Sequence, residues 1–220
     1  MIIDLEGLLL RIYTFSLGPL QTNCYIVANE QTKEAIIIDA GMQPGELLDK
    51  AADYKVQAIL LTHAHFDHMG GLEQVRKKTG APVYIHASEQ EWLTNPDLNG
   101  SSRWPMIGGA MTSAPAEHEV KEGDVLTLAG MEIVVFETPG HTPGGVSFLI
   151  GEELFSGDTL FAHSIGRTDL PGGNYEQLIA SIQAKLMPLP EETRVYPGHG
   201  PDTTIGFERL HNPFIAGTLR

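Results

Sequence analysis

Residues 63–68 read His-Ala-His-Phe-Asp-His: three imidazoles and a carboxylate in six positions, directly after an apolar run at 56–61. Neutral imidazole and carboxylate are the donors that zinc, iron and manganese accept most readily. The i, i+2 spacing puts His63 and His65 on one side of an extended segment. Asp67 and His68 follow as the chain turns into a helix expected to begin near Met69. The cluster reads as two metal positions side by side, one served by His63 and His65, the other by Asp67 and His68. A single histidine is usually structural. This density, with no histidine-rich tract elsewhere, fits neither surface composition nor an expression tag.

Three further donors occur in a common setting. His141 lies in Thr-Pro-Gly-His-Thr-Pro-Gly (138–144), Asp158 in Ser-Gly-Asp-Thr (156–159) and His199 in Pro-Gly-His-Gly-Pro (197–201). Each follows a short apolar strand and sits in or beside a glycine-bearing turn, where backbone can bend sharply and aim a side chain into a cleft.

The elements that must position these donors alternate in type. Strands are expected at 9–15, 23–28 and 35–39, broken by turn chemistry at Gly18-Pro19 and around Asn29. Helical spacing covers 45–54, a buried-type strand 56–61, and a helix 72–78 is closed by Gly80 and Pro82. A short strand at 82–86 and a short helix at 88–93 precede an irregular, glycine- and proline-rich stretch at 95–117 that holds Arg103 and Trp104. A long irregular loop in a compact domain is more often functional than filler; a solvated loop is the first reading here, a lid the second. Strands follow at 125–128, 132–136, 146–150, 153–155 and 194–196, with an amphipathic helix at 175–186. Sheets covered by helices in a layered α/β arrangement are the expected fold class.

Whole-chain properties narrow the partners. At 220 residues the chain can bury a substantial core, and one domain over 1–220 is expected. A net charge of −14 argues against nucleic acid or an anionic membrane as partner. The first ten residues lack a basic leader and a cleavage site, and no stretch approaches a membrane span. Cys24, the only cysteine, rules out an intramolecular disulfide, fits a reducing cytoplasm, and reads as a small buried hydrophobe. His86, His118, His163 and His211 lie outside the donor motifs and read as structural.

His-x-His-x-Asp-His, followed by Pro-Gly-His-Thr, Ser-Gly-Asp-Thr and Pro-Gly-His-Gly, resembles the metallo-β-lactamase superfamily. Within it the chain is most similar to glyoxalase II (hydroxyacylglutathione hydrolase) and its short bacterial relatives, from Thr-Asn-Cys-Tyr at 22–25 to the 208–214 segment. The resemblance implies an αββα sandwich with two divalent metals at one edge of the sheets, zinc first, iron or manganese as alternatives. Carried over by position, His63, His65 and His141 would hold one ion. Asp67, His68 and His199 would hold the other, and Asp158 would bridge them. Flavodiiron members place a glutamate at the position of His65. True β-lactamases usually depart at the second metal, and nuclease branches carry extra domains and basic surfaces; these branches are set aside.

Two such ions about 3.5–4 Å apart lower the pKa of a shared water towards neutrality. With Asp67, Asp158 and one hydroxide the site would carry about +1, enough to attract an anionic or carbonyl substrate to an acidic protein. The implied function is a metal-dependent hydrolase, a thioesterase acting on S-lactoylglutathione or a related thioester, because a thiolate leaves without a strong general acid. Asp67 would orient the hydroxide. Asp39 reads either as a support for a ligating histidine or as a plain turn residue. Arg167, nine residues after Asp158, reads equally as a bidentate clamp on a substrate carboxylate or as a surface salt bridge. Only 21 residues follow His199, so the helical C-terminal domain through which glyoxalase II contacts glutathione is expected to be missing, which leaves the thiol open. The alternative is a persulfide dioxygenase, which the 166–169 stretch Gly-Arg-Thr-Asp also resembles. There one ferrous ion would sit on His63, His141 and Asp158. A non-catalytic metal-binding module is the third and least favoured reading.

Overall fold

The computed structural model describes residues 2–5 and 7–217; of the N-terminal stretch discussed above, Met1 and Glu6 lie outside the described residues. In chain order it comprises β1 (Ile2–Leu5), β2 (Leu8–Leu17), β3 (Thr22–Asn29), β4 (Glu34–Ile38), α1 (Gly45–Ala51), β5 (Lys55–Leu60), α2 (Phe66–Met69), α3 (Leu72–Thr79), β6 (Val83–His86), α4 (Gln90–Thr94) and β7 (His118–Val120). There follow β8 (Val125–Leu128), β9 (Met131–Glu137), β10 (Val146–Ile150), β11 (Glu153–Gly157), the small ribbon β12 (Leu160–Phe161) and β13 (Ser164–Ile165), α5 (Tyr175–Ser181), β14 (Arg194–Pro197), β15 (Thr203–Thr204) and α6 (Ile205–His211). Contacts divide the chain into two compact units: residues up to Val120 with Leu126–Glu132, and Lys121–Val125 with the chain from Ile133 onward.

The first unit is built on a seven-stranded sheet in sequence order, β1 to β7. Pairing is antiparallel from β1 to β4 and parallel from β4 to β7. β3 is buried along its whole length and β4 carries Ile36, Ile37 and Ile38, none of them exposed. An unbroken β-branched run suits a central strand covered on both faces. Each such isoleucine contributes about 1.5–3 kcal/mol through its burial. α3 turns Leu72 and Val75 inward, carries Arg76, Lys77 and Lys78 in its last turn, and ends at Gly80 in the left-handed region. Cations at a helix C-terminus and a left-handed glycine cap are both stabilising.

The second unit carries β10, β11, β14, β15 and most of β9, from a six-stranded sheet ordered β15-β14-β11-β10-β9-β8. β10 is antiparallel to both β9 and β11, and β11 is parallel to β14. β9, β11 and β14 therefore run the same way and end at one edge. α5 starts at Asn174, whose side chain accepts the Gln177 N–H, and turns Leu178 and Ser181 inward. The amphipathic helix expected over 175–186 is α-helical only to Ser181; residues Ile182–Leu186 form a wider π turn. α6 is capped by Thr204 and was not foreseen, since Phe207 and Leu210 interrupt its polar face. Among the described residues no helix is long and apolar enough to cross a membrane.

Candidate metal-binding site

The candidate ligands sit at strand carboxyl ends, where backbone leaves the sheet and side chains become available. In the first unit β4 ends at Ile38 and delivers Asp39, β5 ends at Leu60 and delivers Thr62 to His68, and β6 ends at His86 and delivers Glu89. A bond from Asp39 N–H to the Leu60 carbonyl (2.9 Å) holds the first two exits side by side. The ligand-bearing helix starts earlier than expected. α2 begins at Phe66, with extended His65 as its N-cap, so Asp67 and His68 lie inside the helix rather than before it. The His65 carbonyl accepts the N–H groups of His68 and Met69, which closes that turn.

Four candidate ligands gather here. A nitrogen of His63 lies within 4.8 Å of one on His65 and of one on His68, and an oxygen of Asp67 lies within the same distance of a His68 nitrogen. The His63 and His65 rings meet edge to face at 4.9 Å, as expected for two side chains on one side of an extended segment. All four residues are at most 8 % exposed.

Hydrogen bonds fix which nitrogen of these rings is the donor. His68 Nδ1–H donates to Asp39 Oδ2 at 2.8 Å. Thr62 gives its N–H to Asp39 Oδ1 and its hydroxyl to Asp39 Oδ2, both at 2.8 Å. With its proton spent on Asp39, the Thr62 hydroxyl accepts His63 Nδ1–H at 3.1 Å. Nδ1 is therefore the protonated nitrogen of both rings, and Nε2 carries a lone pair of the kind a metal takes. Asp39 thus supports His68, a candidate ligand, from a left-handed backbone conformation (φ 58°). Asp67 Oδ2 accepts the Thr22 hydroxyl at 2.7 Å and lies 3.6 Å from His68 Nε2. Cys24 is fully buried beside this cluster and accepts the Gly41 N–H at 3.1 Å. Burial raises its thiol pKa, with the charge of Asp39 adding to the effect, so it stays a neutral, inert thiol, as expected.

In the second unit β9 leads to His141, β11 to Asp158 and β14 to His199. Gly157 pairs with Pro197 across the parallel strands, and Gly198 N–H donates to the Gly157 carbonyl at 2.8 Å. Asp158 Oδ2 consequently lies 3.4 Å from His141 Nε2 and 3.6 Å from His199 Nε2. One carboxylate oxygen faces two imidazole nitrogens, beyond ordinary hydrogen-bond length. His141 Nδ1–H donates to the Arg167 carbonyl at 2.7 Å, so this ring too presents Nε2. His199, with 30 % of its side chain exposed, is the most open of the seven candidate ligands. Gly166 makes the packing possible: a Cβ there would lie 1.8 Å from the Asp158 carbonyl oxygen.

The Arg167 guanidinium points elsewhere. Its Nε and Nη2 make a bidentate pair with Asp169 Oδ1 and Oδ2, both at 2.7 Å, and both side chains are exposed. The Arg167 fork holds the Asp169 carboxyl down to about 2. The residues outside the motifs have local roles: His86 caps a turn through Ser88 N–H, His118 stacks on Tyr84, and His163 and His211 flank Phe207. The 95–117 stretch is irregular but anchored. Asn99 is fully buried, its amide donates to the carbonyls of Trp92 and Met111, and its own carbonyl accepts the Phe66 N–H at the start of α2. Trp104 stands 45 % exposed. Neither Glu89 nor Asn99 was singled out in the sequence, and Thr22 entered only as part of the 22–25 segment. Thr22 bonds Asp67 45 residues on and Glu89 bonds Ala64 25 residues back, so no local spacing marks them, whereas the Asn99 amide reaches Trp92 and Met111, 7 and 12 residues away.

The donors of each unit suit a divalent cation: His63 and His68, oriented through Nδ1, with Asp67 in the first, and His141, oriented likewise, beside Asp158 in the second. The metallo-β-lactamase superfamily profile matches residues 17–199. The chain belongs to this superfamily. It has the metallo-β-lactamase fold, which is the fold class expected from the motifs. Superfamily relatives include the probable metallo-hydrolase YqgX of Bacillus subtilis (strain 168), 42 % identical, covering 91 % of this chain and 95 % of that one. The hydroxyacylglutathione hydrolase GloC of Haemophilus influenzae is 36 % identical over 89 % of this chain and 93 % of its own length. Among crystal structures, the BLEG-1 B3 metallo-β-lactamase is 48 % identical with a TM-score of 0.89, covering 94 % of this chain and all of that one. A di-iron-bound form of TTHA1623 gives 39 % and 0.78, over 92 % and 99 %. ETHE1 from Myxococcus xanthus gives 29 % and 0.76, over 94 % and 85 %.

Proposed function

We propose that the chain is a metal-dependent hydrolase of the glyoxalase II type, cleaving S-lactoylglutathione or a related small-molecule thioester in the cytoplasm, with neither nucleic acid nor membrane as partner. His63, His65 and His141 are assigned to one ion, Asp67, His68 and His199 to a second, and Asp158 to both. The ions, zinc first with iron or manganese as alternatives, would supply Lewis acidity and a water of near-neutral pKa. Asp67 would accept a hydrogen bond from such a water and so orient its oxygen towards the carbonyl carbon. Thr22 keeps the Asp67 carboxylate in that orientation through its 2.7 Å bond. Arg167, once released from Asp169, would clamp a substrate carboxylate with the same two N–H groups.

The observation that carries this reading is the buried Asp39–His68 bond of 2.8 Å. A mononuclear ferrous dioxygenase needs only His63, His141 and Asp158, so a fixed tautomer at His68 favours a second metal position. The name of the 36 %-identical relative from Haemophilus influenzae supports the hydrolase. The likeness to ETHE1 keeps persulfide oxidation as the second reading. The 48 %-identical B3 metallo-β-lactamase, from a branch the motifs had set aside, adds lactam amides to the substrates to assay. The test is metal content by mass spectrometry on protein purified without added metal, paired with hydrolysis of S-lactoylglutathione and of a chromogenic cephalosporin. Close to two metals per chain with thioester turnover is the expected result. Close to one iron without turnover, and oxygen uptake with glutathione persulfide, would replace the hydrolase with the dioxygenase. Turnover of the cephalosporin alone would make the substrate a lactam.

A further inference from the structure

Glu89 is a fully buried carboxylate that the proposed chemistry does not use. It closes a 3-10 turn (Ala87–Glu89) that runs straight into α4. Its Oε2 accepts the peptide N–H of Ala64 at 3.1 Å. Ala64 is the residue between His63 and His65. Three positions after Glu89, Trp92 brings its ring to 5.7 Å from the His65 ring. Positions i and i+3 are neighbours on a helical surface, so one turn applies both a carboxylate and an indole to the His-Ala-His segment. Burying an ionised carboxylate is costly unless several donors compensate it, and the Ala64 N–H is one donor. Three other histidines show how this protein sets its rings: His68 on the Asp39 carboxylate, His141 on the Arg167 carbonyl, and His63 on the Thr62 hydroxyl.

We infer that Glu89 is the orienting partner of His65: held by the Ala64 N–H, its carboxylate accepts a ring N–H of His65 and turns the other ring nitrogen towards the ion. Glu89 is a positioning residue and touches neither substrate nor metal. The inference rests on the assignment of His65 as a ligand.

The experiment is a zinc-affinity measurement by chelator competition on the full chain, comparing wild type with Glu89→Gln and His65→Ala, alongside thermal unfolding of the metal-free proteins. Glutamine fills the same volume and keeps an acceptor for Ala64, but it loses the charge and places an NH2 group where the second oxygen stood. Glu89→Gln is expected to weaken one zinc equivalent about 10–100-fold while the metal-free protein melts within a few degrees of wild type. Wild-type affinity in Glu89→Gln, with affinity lost in His65→Ala, would overturn the role of Glu89 alone. Wild-type affinity in His65→Ala would overturn the ligand assignment beneath it. Should Glu89→Gln not fold, nitrogen-15 spectra of the zinc-loaded wild type decide the matter. A slowly exchanging, downfield ring N–H assigned to His65 is expected, and its absence removes the inference.

Discussion

Asp39 illustrates how one side chain at the residue scale can serve several groups: its two oxygens take the Thr62 N–H, the Thr62 hydroxyl and His68 Nδ1–H. His68 is thereby committed to one tautomer, and His68→Ala should empty the second metal position and abolish thioester hydrolysis, while metal analysis still finds about one ion per chain. A variant that kept both ions and full turnover would rule out the two-metal mechanism. The candidate ligands could be named from the sequence because donor type and short spacing carry the information locally. Of their supports, Asp39, 29 residues from His68, stood open between two readings, and Thr22, 45 residues from Asp67, was not singled out. Arg167 lies between these cases, since its partner Asp169 is two residues on and both readings of the fork were open. The Asp169 carboxyl is depressed in the folded state, so its contribution is present above the unfolded value near 3.8 and is lost as pH falls through about 2. The side-chain carboxyl carbon of Asp169 should titrate near pH 2 in wild type by NMR, and near the ordinary aspartate value in Arg167→Ala.

Parallel strand exits dominate at the element scale. Because β11 and β14 run the same way and pair through Gly157 and Pro197, the residues just past them, Asp158 and His199, meet without any long-range design in the loops. The sequence showed the strands and their glycine-bearing exits, but not which strands are neighbours, since register across dozens of residues is a tertiary property. The helix start at Phe66 was missed for a related reason: α2 is a single turn, and its first N–H is taken by the carbonyl of Asn99 in the long loop. Gly166 ties the Gly-Arg-Thr-Asp stretch to the ligands, its missing side chain leaving room for the Asp158 carbonyl. Gly166→Ala should push that carbonyl away, cost about 1–3 kcal/mol as an overpacked core contact does, and reduce metal retention. Thermal unfolding and metal analysis of the variant would show both; unchanged values would mean the loop yields without moving Asp158.

Over the whole molecule, 28 acidic side chains oppose 14 Lys and Arg, a net charge of −14. Long-range repulsion should slow the approach of an anionic thioester, and added salt screens it with a Debye length that falls from about 30 Å at 0.01 M to about 10 Å at 0.1 M. kcat/KM for S-lactoylglutathione should therefore rise over this range, while that for a neutral thioester stays flat. Parallel behaviour of the two substrates would mean that the local charge of the site governs their encounter instead.

The left-handed backbone of Asp39 also bears on how this sequence can drift. Among the described residues six non-glycine positions have positive φ, Lys33, Asp39 and Gln43 among them. Such a conformation costs most side chains roughly 1–2 kcal/mol, and glycine, asparagine and aspartate least. Lys33 and Gln43 are exposed, so glycine or asparagine there should be neutral or stabilising. Position 39 combines the same backbone demand with a need for a carboxylate of one length. Glutamate overreaches, asparagine keeps the turn but loses the charge, and glycine loses both oxygens. In a saturation library sorted for folding and then for metal content, position 39 should retain aspartate alone, with asparagine folded but metal-poor, whereas positions 33 and 43 diversify.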